Sequence, residues 1–404
     1  MFFSYYIFCV VIVKIMGVVR CFTRPVLLFP GMGGSVLRKK HNAEIVFPPS
    51  FHQFFFGLDE WKRNMLSMNP TPIGEYFLPE IDTFNFGDKR ALDLRSVSPF
   101  CINQNNYDFI HQHENIFPVP YDFRKIHMPE YLETDLFPRV KTYIETFGEP
   151  VILLAHSTAG VIIHLFLHLQ TEEWRTRHIC GVVNVSVPFC GLFLVLQCLV
   201  NPTWIDKILG IDILRNMGGF IVNMPNSQYF SHPVVLFGEN EIVVTDDTHP
   251  IQNKSILSSP NTSQNEYFRL LKVECGVNPC LDDVKHKYCL FHEKYEQYFV
   301  KSTGVNTHIV YSCGNPFTPV GFRFRKTGCH NTKKQYCLNG GNIMKTVYGE
   351  GDGVVATDSL LFPKRWETQT GVFYHNIKNK SHSNILGAVE LVTIIEQMGD
   401  RRSP

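Results

Sequence analysis

The chain has almost no excess of charge: 38 Lys and Arg against 37 Asp and Glu leave a net +1 over 404 residues. Without a basic surplus there is no electrostatic basis for a nucleic-acid partner. The apolar stretch at residues 2–13, FFSYYIFCVVIV, is shorter than the ~20 residues that span a bilayer. Paired Cys-x-x-Cys knuckles are missing, which removes the usual frame for structural zinc despite 12 cysteines. No loop of clustered carboxylates suggests a calcium site. The glycine-rich residues 30–35, PGMGGS, match neither GxGxxG nor a phosphate loop with its Lys-Ser/Thr pair. Neither a metal nor another cofactor is therefore expected.

What is present centres on residues 151–160, VILLAHSTAG. An apolar run stops at Ser157, small residues flank it, and an apolar helix follows at once. That is the layout of a nucleophile elbow, in which a sharp turn lifts the serine hydroxyl above the carboxyl edge of a parallel sheet. Ala155 and Ala159 stand where glycine is usual. The alternative is an ordinary strand-to-helix turn with a capping serine. Ahead of it, the strand at residues 26–29 runs into the glycine-rich loop. Given Ser157, that loop reads as an oxyanion loop, with the N–H groups of Met32 and Thr158 as donors. The next apolar strand, residues 181–187, ends at Pro188. Strand, helix and strand in succession argue for a parallel sheet.

Two later stretches supply the partners that a serine nucleophile needs. Asp352 lies between glycines in GEGDGVV, residues 349–355, and is either a turn former or the acid that orients a histidine. His382 follows the last strand and opens a helix; His375 is its rival. Ser157, Asp352 and His382 then fall in the chain order of α/β-hydrolases. Leu132, Leu136, Val140, Ile144 and Phe147 recur at helical spacing before the elbow, with Pro138 expected to delay the helix start.

The remaining segments are read by composition. Residues 1–21 are a signal peptide, or an uncleaved anchor. Residues 22–192 form the first part of the core, with an aromatic, Pro-rich segment at about 40–90 where Phe51, Phe54, Phe55, Phe56 and Trp61 crowd together. That segment reads as a lid or membrane-touching loop, with Trp61 as the substrate-lid residue; the alternative is a core patch beneath a long loop. Residues 193–304 are less readable, with a second small subdomain as one reading, and 305–400 complete the core. Six cysteines between Cys275 and Cys337 suggest disulfides in an oxidising compartment. Sequons at Asn253, Asn261 and Asn379 fit a secretory route, whereas the one at Asn184 falls in an expected core strand.

The motifs TRPVLLFPG (residues 23–31), PYDFR (120–124), AHSTAG (155–160), SVPFCG (186–191) and the glycine-flanked Asp352 stand in an order and spacing that resemble the lecithin:cholesterol acyltransferase family, which includes lysosomal phospholipase A and phospholipid:diacylglycerol acyltransferase. Phe123 stands where that family usually has Trp, and Cys190 and Ala159 where it has Gly. The resemblance implies an α/β-hydrolase fold with a mainly parallel sheet, a lid, and a cap over the acyl site at 193–304. It also implies serine-dependent acyl transfer from a phospholipid to water or a lipid alcohol, at a membrane or lipoprotein surface in the secretory pathway. Two other readings stay open: a different lipase or carboxylesterase of the same fold, and a non-catalytic lipid-binding protein.

Overall fold

Residues 151–156 are apolar up to the final histidine, and all six are buried, which is how a strand with both faces covered reads. In the computed structural model, which describes residues 22–66, 81–94, 105–200, 213, 216–225, 235–237, 279–324 and 343–400, they form the centre of a six-stranded sheet. Its strands are β1 (Val26–Phe29), β2 (Ile116–Pro118), β3 (Val151–His156), β4 (Ile179–Val185), β5 (Thr307–Tyr311) and β6 (Val372–Asn376). They lie in the order β6-β5-β4-β3-β1-β2, every pair parallel. This is an α/β-hydrolase fold, as the elbow and the order Ser, Asp, His led us to expect.

The side-chain period of two divides each central strand between two cores. Val26, Leu28, Ile152 and Leu154 pack on one face, against Leu391, Ile395 and Met398 of the C-terminal helix Val389–Asp400. Leu27, Phe29, Leu153 and Ala155 face the other side, against Leu165 and Phe166 of helix Thr158–His168 and Val140 and Ile144 of helix Phe137–Glu145. Burial of this kind stabilises by about 1.5–3 kcal/mol per large side chain.

The α-helix starts at Phe137 with Pro138 in its first turn, as expected, but the chain is helical before it. Residues Tyr131–Leu136 already form a wide, π-type turn that runs directly into Phe137–Glu145. Proline has no N–H to donate and clashes in the tighter α spiral; the wide turn accommodates both features.

The segment around 40–90 is more ordered than its composition suggested. Strands Leu37–Lys39, Ile45–Phe47 and Ile81–Thr83 form a small antiparallel sheet, and helices Phe51–Phe56 and Leu58–Leu66 sit between the last two. This corrects the reading of Trp61 as a lid residue. Trp61 is buried and its indole N–H donates to Val46 O at 2.7 Å. Four residues apart on one helix, Trp61 and Met65 share the inward face, while Asp59 and Glu60 lie exposed in the first turn. The exposed aromatics are instead Phe55 and Phe56, at 55% and 78%. Arg124 of the PYDFR stretch fastens the end of this helix: its guanidinium is fully buried, pairs with both oxygens of Asp122 at 2.8 and 2.7 Å, and donates to Met65 O at 3.2 Å. Burial would raise the Asp122 pKa, but the adjacent Arg124 holds it below the usual carboxylate range.

In the region least readable from sequence, helix Pro279–Phe299 lies against helix Thr158–His168. Just beyond it, Lys301 O meets His168 Nε2 at 3.2 Å, and from its last turn Tyr298 O meets His164 Nε2 at 2.9 Å. Asn184 is buried on β4, so its sequon cannot carry a glycan, whereas Asn379 is exposed in a turn. Cys313 is a thiol and not half of a disulfide; its sulfur accepts from Asn376 Nδ2 at 3.2 Å. Residues 1–21, Asn253, Asn261, Cys275, Cys329 and Cys337 lie outside the described residues. Among the described residues no helix is long and apolar enough to cross a membrane.

Candidate active site

Strand β3 ends at His156, and the chain turns sharply into the helix beginning at Thr158. Ser157 takes the whole turn at φ 55°, ψ −132°. Such a conformation costs a non-glycine residue roughly 1–3 kcal/mol and persists only where the surroundings impose it. Here Ser157 N–H donates to Val185 O at 2.9 Å. The helix packs so closely that a Cβ at Gly160 would lie 2.2 Å from Val187 Cγ2. Gly160, more than Ala155 or Ala159, is the small residue this turn requires. A capping serine would accept from the first helical N–H groups; Ser157 makes no such bond.

The hydroxyl faces His382 instead. Ser157 Oγ is 3.0 Å from His382 Nε2, and His382 Nδ1 is 2.8 Å from Asp352 Oδ2. Asp352 is fully buried, and its other oxygen accepts from Val354 N at 2.9 Å and Val355 N at 2.7 Å. Burial alone would raise its pKa. His382 and the two backbone N–H groups outweigh that and hold it below the usual carboxylate range. An ionised acceptor at Nδ1 fixes the tautomer: Nδ1 carries the proton and Nε2 offers a lone pair to the Ser157 hydroxyl. The His382 main-chain N–H also donates to Asp352 O at 3.0 Å. His375 is elsewhere, on β6, with its Nε2 2.9 Å from His308 Nδ1.

Beside Ser157 opens a cavity of about 480 Å³. Met32 and Thr158 line it, together with apolar Phe47, Leu192, Val195 and Phe220. Its size is that of a small-molecule pocket. A serine with a lone-pair-bearing imidazole, an ionised orienting acid and an apolar chamber is equipped for covalent attack on a carbonyl group. Among the described residues no group of three or more His, Cys, Asp or Glu is placed to hold a metal ion.

Two contributors escaped the sequence reading. Tyr107 hydroxyl accepts from Gly31 N at 2.8 Å and lies 3.1 Å from His156 Nδ1; His156 Nε2 is 3.1 Å from His382 O. With His156 neutral, only one proton arrangement satisfies all three contacts. Gly31 N–H donates to Tyr107, the phenol donates to Nδ1, and the Nε2 proton goes to His382 O. Burial favours that neutral form, pushing the His156 pKa down to about 3. The chain of bonds ties the glycine-rich loop to the main chain of His382. His156 is adjacent to Ser157 and could have been singled out; Tyr107 sits in no motif. Tyr107→Phe leaves the Gly31 N–H and His156 Nδ1 buried without partners, at roughly 1–3 kcal/mol each. Denaturant unfolding is expected to show a loss of roughly 2–6 kcal/mol; unchanged stability would refute the chain.

The model of the lecithin:cholesterol acyltransferase family matches residues 104–288 of this chain. "Lysosomal phospholipase A and acyltransferase" of Mus musculus is 22% identical, over 77% of this chain and 71% of the relative. Over these stretches the chain is similar to the lecithin:cholesterol acyltransferase family. "Lecithin-cholesterol acyltransferase-like 1" of Arabidopsis thaliana, another relative in this family, is 34% identical over 19% of this chain and 20% of its own length. Among solved structures, the crystal structure of the Tle4-Tli4 complex superposes with a TM-score of 0.52 at 12% identity, covering 96% of this chain and all of the other; the likeness is one of fold. The family model ends ahead of Asp352 and His382, so the acid and base rest on the geometry given above.

Proposed function

We propose that this chain is a serine-dependent lipid acyl-transfer enzyme whose first substrate is a phospholipid. Ser157 is the nucleophile, His382 the general base and then general acid, and Asp352 the group that orients His382. His382 Nε2 takes the hydroxyl proton as Ser157 Oγ attacks the ester carbonyl. The N–H groups of Met32 and Thr158 receive the negative oxygen of the tetrahedral intermediate. Collapse expels the lysolipid alkoxide, which takes the proton back from His382 Nε2, and an acyl-Ser157 ester remains. Water or a lipid alcohol, deprotonated by His382, then repeats the attack and frees the serine. The observation that carries the reading is the strained Ser157 with its hydroxyl 3.0 Å from an imidazole held by a buried carboxylate. Segment 193–304 serves as the cap over the acyl chamber, since Leu194, Val195 and Phe220 line it. The relatives named lysosomal support a secretory or lysosome-like compartment.

Purified protein given labelled phosphatidylcholine vesicles, with and without cholesterol, diacylglycerol or a long-chain alcohol, is expected to release lysolipid. The partition of label between free fatty acid and acylated acceptor names the second substrate. Untouched phospholipid with cleavage of a short soluble ester would move the protein to the carboxylesterases. Vesicle binding without any turnover would make it a lipid-binding protein.

The membrane contact falls to Phe55 and Phe56, exposed on a short helix that starts four residues after Phe47, itself a wall of the chamber. Exposed phenylalanines gain free energy by entering a lipid interface. Phe55→Ser with Phe56→Ser is expected to lower vesicle hydrolysis about tenfold or more, with hydrolysis of a soluble ester nearly unchanged. An equal loss on both substrates would contradict the assignment.

A further inference from the structure

Helical turn Gly218–Val222 is pressed against the chamber by bonds on two sides: Gly218 N–H donates to Arg124 O at 2.8 Å and Gly219 N–H to Phe123 O at 3.0 Å, while Leu192 N–H donates to Asn223 O at 2.7 Å. Asn223, at its end, is fully buried. Its amide nitrogen has two hydrogens to give. One goes to Thr158 Oγ1 at 2.5 Å and the other to Gly219 O at 2.7 Å. Thr158 is the residue that follows the nucleophile. Gly219 backs Met32 so tightly that a Cβ there would lie 2.5 Å from Met32 Sδ and 2.6 Å from its Cγ. One side-chain amide therefore bridges the two residues whose N–H groups are assigned to the oxyanion, touching Thr158 directly and Met32 through Gly219.

The remaining atom of that amide makes the case sharper. Asn223 Oδ1 is buried with no hydrogen-bond partner among the described residues, which is destabilising. Leucine, of similar volume, would fill the same space without an unpartnered oxygen. Packing does not account for an amide here; its two donated bonds do.

We propose that Asn223 is a positioning residue for the oxyanion hole, fixing the Thr158 N–H relative to the Met32 N–H from a segment outside the hydrolase core. The inference rests on the reading of Ser157 as nucleophile with Met32 and Thr158 as donors. An oxyanion hole works through distances to the charged oxygen of the intermediate and contributes much less to the neutral ester. Disturbing it therefore lowers kcat and leaves KM nearly unchanged.

The test is steady-state hydrolysis of a soluble ester by wild type, Asn223→Leu, Thr158→Val and Thr158→Ser, each checked for folding by thermal unfolding. Asn223→Leu is expected to lose about tenfold to a hundredfold in kcat, with KM within about twofold. Thr158→Val removes the acceptor and keeps the shape. It is expected to lose a similar factor, and the Leu–Val double variant to lose little more than either single one. Thr158→Ser, which keeps the hydroxyl, is expected to turn over several-fold faster than Thr158→Val, about fivefold or more. A folded Asn223→Leu enzyme with wild-type kcat overturns the proposal. If that variant does not fold, equal turnover by Thr158→Val and Thr158→Ser overturns it. Fluorophosphonate labelling of wild type, absent in Ser157→Ala, separates the two layers. Wild type that resists the probe overturns the nucleophile reading and this proposal with it; labelling with an unaffected Asn223→Leu overturns this proposal alone.

Discussion

An Asp352→Asn variant is expected to fold and to turn over esters about 10⁴-fold more slowly than wild type. The size of the loss comes from the way Asp352 is held. Its Oδ1 accepts two backbone N–H groups, from Val354 and Val355, and Oδ2 faces His382 Nδ1. In asparagine only one of these positions is an acceptor. The two backbone donors claim the carbonyl oxygen, so the NH₂ group must face His382. Two N–H donors cannot face each other, and the imidazole answers by moving its proton to Nε2. The lone pair that accepts the Ser157 proton is then lost, although side chain and volume are nearly unchanged. Steady-state hydrolysis of a soluble ester together with thermal unfolding checks both halves. A folded variant within about tenfold of wild type would mean that Asp352 does not set the tautomer.

The second large effect is on stability and runs with pH. Burial pushes the pKa of His127, His156, His164 and His292 down to about 3. Neighbouring positive charge adds to this at His127, beside Lys287, and the neighbouring histidines His382 and His168 add to it at His156 and His164. Both ring nitrogens of His292 are buried without partners among the described residues. A histidine with a depressed folded pKa contributes stability that is fully present above its unfolded value of about 6.5, and is lost as pH falls from there toward 3. Over that window the unfolded chain binds protons that the folded chain refuses. Each group costs roughly 1.4 kcal/mol per pH unit, so at pH 5 about 2 kcal/mol each and on the order of 8 kcal/mol for the four. Asp122 and Asp352, both held below the usual carboxylate range, add to the loss only below about pH 4. That sum is comparable with the whole stability of a typical domain. Denaturant unfolding at pH 7.5 and pH 5.0 is expected to show a fall of several kcal/mol. Equal or greater stability at pH 5.0 would contradict the burial of neutral histidines.

How much of this was legible beforehand depended on whether the signal was local. The elbow was, because a strand buried on both faces, a serine among small residues and an apolar helix are all written within eighteen residues. Asp352, in its glycine-flanked loop, and His382, after the last strand, were singled out from rivals such as His375 by the resemblance of their surroundings to the family's motifs. Trp61 misled because a tryptophan in an aromatic cluster reads alike whether it faces solvent or core. Only the pairing of Trp61 with Met65 on one helix, and the Val46 carbonyl waiting for its N–H, decide the direction. Pro138 marked the start of the α-helix but gave no sign of the wide turn ahead of it. Tyr107 and Asn223 were illegible in principle. Their roles consist of contacts with residues 49 and 65 positions away, and no periodicity or motif records such contacts.

The central claim is that an acyl group passes through Ser157, and the most direct measurement is to catch it there. Wild-type protein mixed briefly with labelled phosphatidylcholine vesicles, quenched in acid and digested, is expected to yield the peptide containing Ser157 with one acyl chain attached, and Ser157→Ala to yield none. An acyl group on another residue, or lysolipid release by wild type and Ser157→Ala alike, would contradict it.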